Sequence, residues 1–178
     1  MGMFMENPQL QGIAWRFREE VQPHDREVVR DIIMASGFFS LDEVAIAVEL
    51  VDERLAQGLQ SGYYFLFAEH DNEVVGYTCF GPVPGTLVSY DLYWIAVRNQ
   101  YRGQGLGSLL IRRSEEMIRA LGGRRIYVET SSRALYIPTH AFYDAQGYRQ
   151  EAFLEDYYAP GDSKLIYVKV VAAPTTLP

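Results

Sequence analysis

Residues 102–108, Arg-Gly-Gln-Gly-Leu-Gly-Ser, are the stretch of this chain with the plainest chemical use. An aromatic and β-branched run, Leu92 to Val97, precedes them and reads as a buried strand, joined by a polar connector from Arg98 to Gln100. Beyond them Leu106, Leu109, Leu110, Met117 and Leu121 fall on one face of a helix that Gly122-Gly123 stops. Strand, glycine turn and helix together aim free backbone N–H groups and the positive end of a helix at one point. Such a point binds anions, and phosphate is its commonest guest. A plain tight turn is the other use of the same glycines.

Spacing separates the glycine-loop chemistries. A dinucleotide fingerprint needs glycines at its first, third and sixth positions; counted from Gly103 the sixth is Ser108, and no later strand offers a clear ribose-binding acid. A nucleoside-triphosphate loop needs Gly-Lys-Ser or Gly-Lys-Thr, whereas the only two lysines are Lys164 and Lys169. What remains is Arg102-x-x-Gly105-x-Gly107 between a strand and a helix. This resembles the pyrophosphate-binding motif of the GNAT acetyltransferases. The resemblance implies that Arg102, Gly103, Gln104, Gly105, Leu106, Gly107 and Ser108 hold the diphosphate of acetyl-CoA, the co-substrate, with Arg98 a lesser candidate for the charge.

A second segment, Tyr136-Ile-Pro-Thr-His-Ala-Phe-Tyr143 running on to Gly147-Tyr148, is similar to the short helix these enzymes carry after their fifth strand. The similarity implies that Phe142 and Tyr143 lie against the cofactor, with Tyr143 beside its sulfur. There a phenol can give a proton to the thiolate that leaves when an amine attacks the thioester. A core tyrosine with its hydroxyl satisfied locally is the alternative. Many relatives place an asparagine seven residues before this tyrosine, where this chain has Tyr136, and Pro138 stands near the helix start, where proline is tolerated.

An ammonium must also lose a proton before it can attack. Asp91, fourteen residues before Gly105, stands where the histone-acetylating branch of the family places a glutamate base. Glu129 is similar in place to the base of ribosomal-protein N-terminal acetyltransferases. Both acids have structural uses as well: Asp91 as a strand cap, Glu129 as an ion-pair partner of Arg133 or Arg125. A base can also act through one water. The resemblance further implies a bulge in the strand ending at Val97, so that backbone groups of Ile95, Ala96 and Val97 bond the pantetheine arm as an added strand and one N–H steadies the thioester oxygen.

The acceptor, by the same resemblance a small-molecule or peptide amine, belongs between two N-terminal helices and a last hairpin over Asp156–Asp162. Glu155, Asp156 and Asp162 could attract a cation, or could serve the turn itself. Phe38, Phe39, Tyr63 and Tyr64 are candidate pocket walls or core. His24, His70 and His140 lack metal-ligand spacing, and no metal is assigned.

The elements that must position these residues follow from periodicity and punctuation. A strand is expected from Ile13 to Val21 and a helix from Pro23 to Ala35. A second helix is expected from N-cap Ser40, with Glu43 three residues on, to Gln57. Strands Tyr63–Glu69 and Glu73–Phe80 meet across Asp71-Asn72, a hairpin signal. Gly81 to Gly85, with two prolines, is expected to end that ladder. After the central helix come a strand at Arg125–Thr130, a helix at Thr139–Gln146, and strands near Tyr148–Tyr157 and Lys164–Val171. The order β-α-α-β-β-β-α-β-α-β-β is that of the GNAT fold: an α/β class with a mixed, mostly antiparallel sheet flanked by helices.

At 178 residues the chain is read as a single domain with its core over about 12–171. A net charge of −7 argues against a nucleic-acid partner. One cysteine, Cys79, excludes an internal disulfide. No signal peptide or membrane-length apolar run is evident, so no membrane partner and a cytoplasmic location are expected, and a homodimer is left open. Two functions fit: an acetyl-CoA-dependent N-acetyltransferase, or a GNAT-fold module that binds acyl-CoA without turnover.

Overall fold

A seven-stranded sheet in the order β1-β2-β3-β4-β5-β7-β6 organises the computed structural model, which describes residues 14–171. Along the chain the elements are β1 (Arg16–Arg18), α1 (Asp25–Ser36), α2 (Leu41–Gln57), β2 (Tyr64–His70), β3 (Glu73–Pro82), β4 (Ser89–Val97), α3 (Leu106–Ala120), β5 (Arg125–Ser131), α4 (Ile137–Ala145), β6 (Arg149–Ala159) and β7 (Asp162–Val170). The predicted order is therefore the observed one. Neighbouring strands are antiparallel except β4 and β5, which are parallel.

Alternation along the strands divides the core into two layers. Phe65 and Phe67 of β2 face α1 and α2, where Val29, Ile32, Ile33 and Val51 pack on them with Tyr77 and Ala96. Leu66 and Ala68 point the other way, onto Leu106 and Leu110 of α3. Further along α3, Ile111 and Ile118 meet Leu92, Ile126, Val128 and Tyr143.

Local signals act as their chemistry requires. Ser40 caps α2 in a full capping box with Glu43. Asp71 and Asn72 turn the β2–β3 hairpin with φ of 50° and 64°. Helix α1 begins two residues later than expected, at Asp25, which is fully buried and accepts the Gln22 N–H and bonds from both terminal guanidinium nitrogens of Arg18. Strand β1 is only Arg16–Arg18, and the expected start at Ile13 lies outside the described residues.

Two expectations about strand ends are corrected. Gly81 and Pro82 continue the ladder, opposite Asp91 and Tyr90. Pairing of β3 with β2 ends at Phe80, so beyond it β3 has a partner on one side only, and the missing proline N–H is no loss. At the other end, β6 runs to Ala159 but residues 155–158 leave the register, opposed by Ser163 alone. That bulge lifts Tyr157 and Tyr158 off the ladder. Among the described residues no helix is long and apolar enough to cross a membrane.

Candidate functional site

The parallel pairing of β4 with β5 covers only Ser89–Asp91 against Arg125–Tyr127. On its other edge β4 carries the expected bulge: the register with β3 slips between Cys79, opposite Trp94, and Phe80, opposite Leu92, which leaves Tyr93 as the extra residue. A bulge bends and twists its strand. Past it the two strands part and open a cleft of about 640 Å³ through the sheet, walled by Tyr93–Val97 and by Val128, Glu129 and Thr130. The β5-facing backbone edge of Ile95, Ala96 and Val97 consequently has no strand partner among the described residues.

The glycine turn closes one end of this cleft. Gly103 and Gly105 have φ of 73° and 80°, the left-handed region, and a Cβ at either would meet nothing within 4 Å. Gly105 is the N-cap of α3, and no side chain caps the first turn. The first helical bond is Leu109 N–H to the Gly105 carbonyl, so the N–H groups of Leu106, Gly107 and Ser108 are left for a ligand. The Ser108 hydroxyl accepts the Gln146 amide at 3.0 Å, which ties α4 to this turn. Arg102 lines the cleft with its guanidinium 5.5 Å from the Phe38 ring centre.

Not every residue assigned to the cradle from sequence reaches it. Gln104 bends back to donate to the Gln100 carbonyl, and the Leu106 side chain is core, 1% exposed. Only their backbones stand at the turn. Arg98 donates to the Val74 carbonyl at 2.9 Å and is absent from the cleft lining.

From α4, Phe142 and Tyr143 form the adjoining wall, and a Cβ on Gly107 would stand 3.5 Å from the Phe142 ring. Tyr143 is 4% exposed, packed against Phe142, Tyr148 and Tyr167 at 5.4, 5.6 and 5.8 Å between ring centres. Burial pushes its pKa well up, which keeps the phenol protonated. Tyr136, in place of the family's asparagine, donates its hydroxyl to the Phe38 carbonyl at 3.1 Å and so straps the α1–α2 connection across the cleft.

Register sets the acids on the opposite face of the sheet from α3 and α4. Asp91 pairs with Tyr127, two residues from Glu129, and all three share a face with Lys164. Glu129 lines the cleft and bonds Lys164 Nζ at 2.6 Å. Its expected partners are engaged elsewhere, Arg133 with Asp162 and Arg125 with Glu151. Burial alone would lower the Lys164 pKa, but the bonds to Glu129 and Tyr157 and the charge of Glu129 together outweigh it, and the ammonium is held charged. Asp91 stands behind the cleft rather than in its lining. Burial, then the charge of Glu129, push its carboxyl up to about 6 against the opposing pull of Lys164.

Aromatic side chains complete this face. Phe39 meets Trp94 edge-on at 4.9 Å, and Tyr63 meets Tyr93 at 5.6 Å. Tyr64 instead stacks on Phe80 in the core. Two acids expected to attract a cation are structural: Asp156 accepts the Gly161 N–H, and Asp162 accepts from Ser131 and Arg133. Trp94 lines the cleft without having been singled out in the sequence, and so do Pro138 and Thr139, which were named only for the start of a helix. Trp94 lies inside the bulged strand, and the bulge is what turns it.

The model of the acetyltransferase (GNAT) family matches residues 27–148. A crystal structure from Desulfovibrio desulfuricans, assigned to the GNAT acetyltransferases, is 43% identical, covers 89% of this chain and 100% of its own, and superposes with a TM-score of 0.88. The uncharacterized N-acetyltransferase YjhQ of Escherichia coli strain K12 is 27% identical over 161 residues, 86% of this chain and 83% of the relative. An aminoglycoside 6'-N-acetyltransferase crystallised with coenzyme A shares the fold at 18% identity and a TM-score of 0.70, covering 89% of this chain and 99% of its own. With the split between its central strands, its uncapped glycine turn and a match across most of its length, the chain belongs to the acetyltransferase (GNAT) family.

Proposed function

We propose that this protein is an N-acetyltransferase that passes an acetyl group from acetyl-CoA directly to a primary amine while both are bound. One observation carries the reading: the cleft pierces the sheet, with an anion cradle and a buried phenol on one face and two carboxylates on the other. Two ligands can thus meet in it from opposite sides.

The residues present fit acetyl-CoA. Free N–H groups at 106–108, open space over Gly103 and Gly105, and Arg102 suit a diphosphate. The unpaired edge of Ile95–Val97 suits an extended amide-bearing arm, and an N–H there is available to a carbonyl oxygen as it gains charge. The thioester supplies an activated acetyl group.

Glu129 or Asp91 takes a proton from the ammonium, directly or through one water. Phe142 walls the cleft, and Tyr143, protonated by burial, gives its proton to the departing sulfur. The chain acts as one domain, with both core layers built on the same sheet.

Free thiol released from acetyl-CoA across a panel of amines tests this. Amine-dependent release is expected. Tight coenzyme A binding with no release from a broad panel would favour a non-catalytic acyl-CoA-binding module instead.

A further inference from the structure

Building on the acetyl-transfer reading above, we infer that the acceptor is a primary amine on a flat apolar body, an arylalkylamine without a carboxylate, seated between Phe39, Trp94 and Tyr93 with its nitrogen toward Glu129. The inference starts from what the two mouths of the cleft offer. The mouth on the α3 and α4 side is the bare first turn of α3 with its glycines, walled by Phe142 and Tyr143, and is taken by the cofactor in the reading above. The other is aromatic: the Phe39 and Trp94 rings stand edge to face at 4.9 Å, and Tyr93, 36% exposed, leans on Tyr63. Rings so placed reward a flat apolar guest, and a body covered in hydroxyls would lose water there without replacement hydrogen bonds.

Charge narrows the class further. Among the described residues Glu129 is the only carboxylate lining the cleft, and with Asp91 behind it on the same face two carboxylates stand against the single charge of Lys164, so an ammonium finds that face net negative. A negative group on the acceptor has no counterion. Arg102 is the only cation among the described lining residues and belongs to the glycine turn, beside Phe38. Lys164 is already neutralised by Glu129, and Arg133 by Asp162. An amino acid would therefore bury its carboxylate against aromatic rings unpaired, which is costly.

The transfer balances with these groups alone. The ammonium yields one proton to a carboxylate. The nitrogen lone pair forms the N–C bond as the C–S bond breaks. Sulfur leaves with the bonding pair and takes the Tyr143 proton, the amide nitrogen passes its remaining excess proton through solvent to the phenolate, and the carboxylic acid releases its proton to solvent.

Thiol release at saturating acetyl-CoA, with 2-phenylethylamine, propylamine, phenylalanine and kanamycin as acceptors, is the test. The expected kcat/KM for 2-phenylethylamine exceeds each of the others by about tenfold or more, the worth of burying one ring. Parity or better for any of the other three overturns the acceptor class and leaves the transferase reading standing. Silence from all four, with acetyl-CoA bound, overturns both. Trp94→Phe and Phe39→Leu, which keep apolar bulk for folding, should each shrink the ratio of 2-phenylethylamine to propylamine; an unchanged ratio in both also overturns it.

Discussion

Tyr143 and Asp91 have both been pushed from their ordinary pKa values by burial, toward opposite uses. A phenol held protonated can only donate, so Tyr143→Phe should lower kcat by about 10²-fold or more while sparing the acetyl-CoA Kd. Calorimetric binding beside steady-state rates checks this, and weaker binding with unchanged kcat would remove Tyr143 from its role. Asp91 accepts a proton only once ionised, so activity should rise with pH through about 6. Asp91→Asn should flatten that limb. Lys164 holds the Asp91 pKa down, so Lys164→Met should move the limb to higher pH, and a limb that stays put would detach Lys164 from the site.

Stability carries the opposite sign. The folded Asp91 pKa of about 6 lies above the ordinary 3.8, so between those values the native state binds a proton that the unfolded chain has lost. The stabilisation is complete below that window and is lost as pH rises through about 6. Asp91→Asn should thus raise the Tm at pH 8 more than at pH 4, read by calorimetry at both.

At the scale of elements, the site depends on a bulge and a turn rather than on any one side chain. The Tyr93 bulge parts β4 from β5, and the left-handed glycines bring the chain into α3 with its first turn bare. Gly105→Ala meets no steric obstacle, so its cost is conformational alone, about 1–2 kcal/mol for an L-residue at that φ. The expected result is a Tm lower by several degrees together with weaker acetyl-CoA binding, measured on the same preparation. A variant that loses stability and binds as well as the parent would separate the turn from the diphosphate.

The whole molecule should report the ligand through its stability. On the proposed function acetyl-CoA is a ligand of the folded chain alone, so at 100 times its Kd it should add about 2.7 kcal/mol. In a domain of this size that raises the Tm by roughly 5–10 °C. Arg102→Ala should shrink that shift at fixed acetyl-CoA concentration with little change in the ligand-free Tm, because Arg102 is exposed and among the described residues its side chain makes one hydrogen bond, at 3.3 Å to the Val97 carbonyl, and one ring contact, with Phe38. A single unfolding transition that moves as a unit is expected of one domain; two transitions, with one indifferent to ligand, would divide it.

Element order, the capped start of α2, the β2–β3 hairpin and the glycine turn were all legible along the chain, because each rests on contacts between near neighbours in sequence: a period, a cap or a positive φ. Tyr143 and Glu129, named through spacing that resembled a family, both line the cleft. What spacing could not supply was the partner of each group. That Lys164 and not Arg133 or Arg125 holds Glu129, that Asp162 is spent on Ser131 and Arg133, and that Arg98 is drawn off to Val74 are long-range choices made by strand register. The aromatic wall of Phe39 and Trp94 belongs with them, since two rings 55 positions apart meet only once α1 and α2 are packed on the sheet. Sequence determined which chemistry the chain can carry; tertiary packing decided which side chains were left free to perform it, because burial and pairing consume polar groups across the sheet without regard to their distance along the chain.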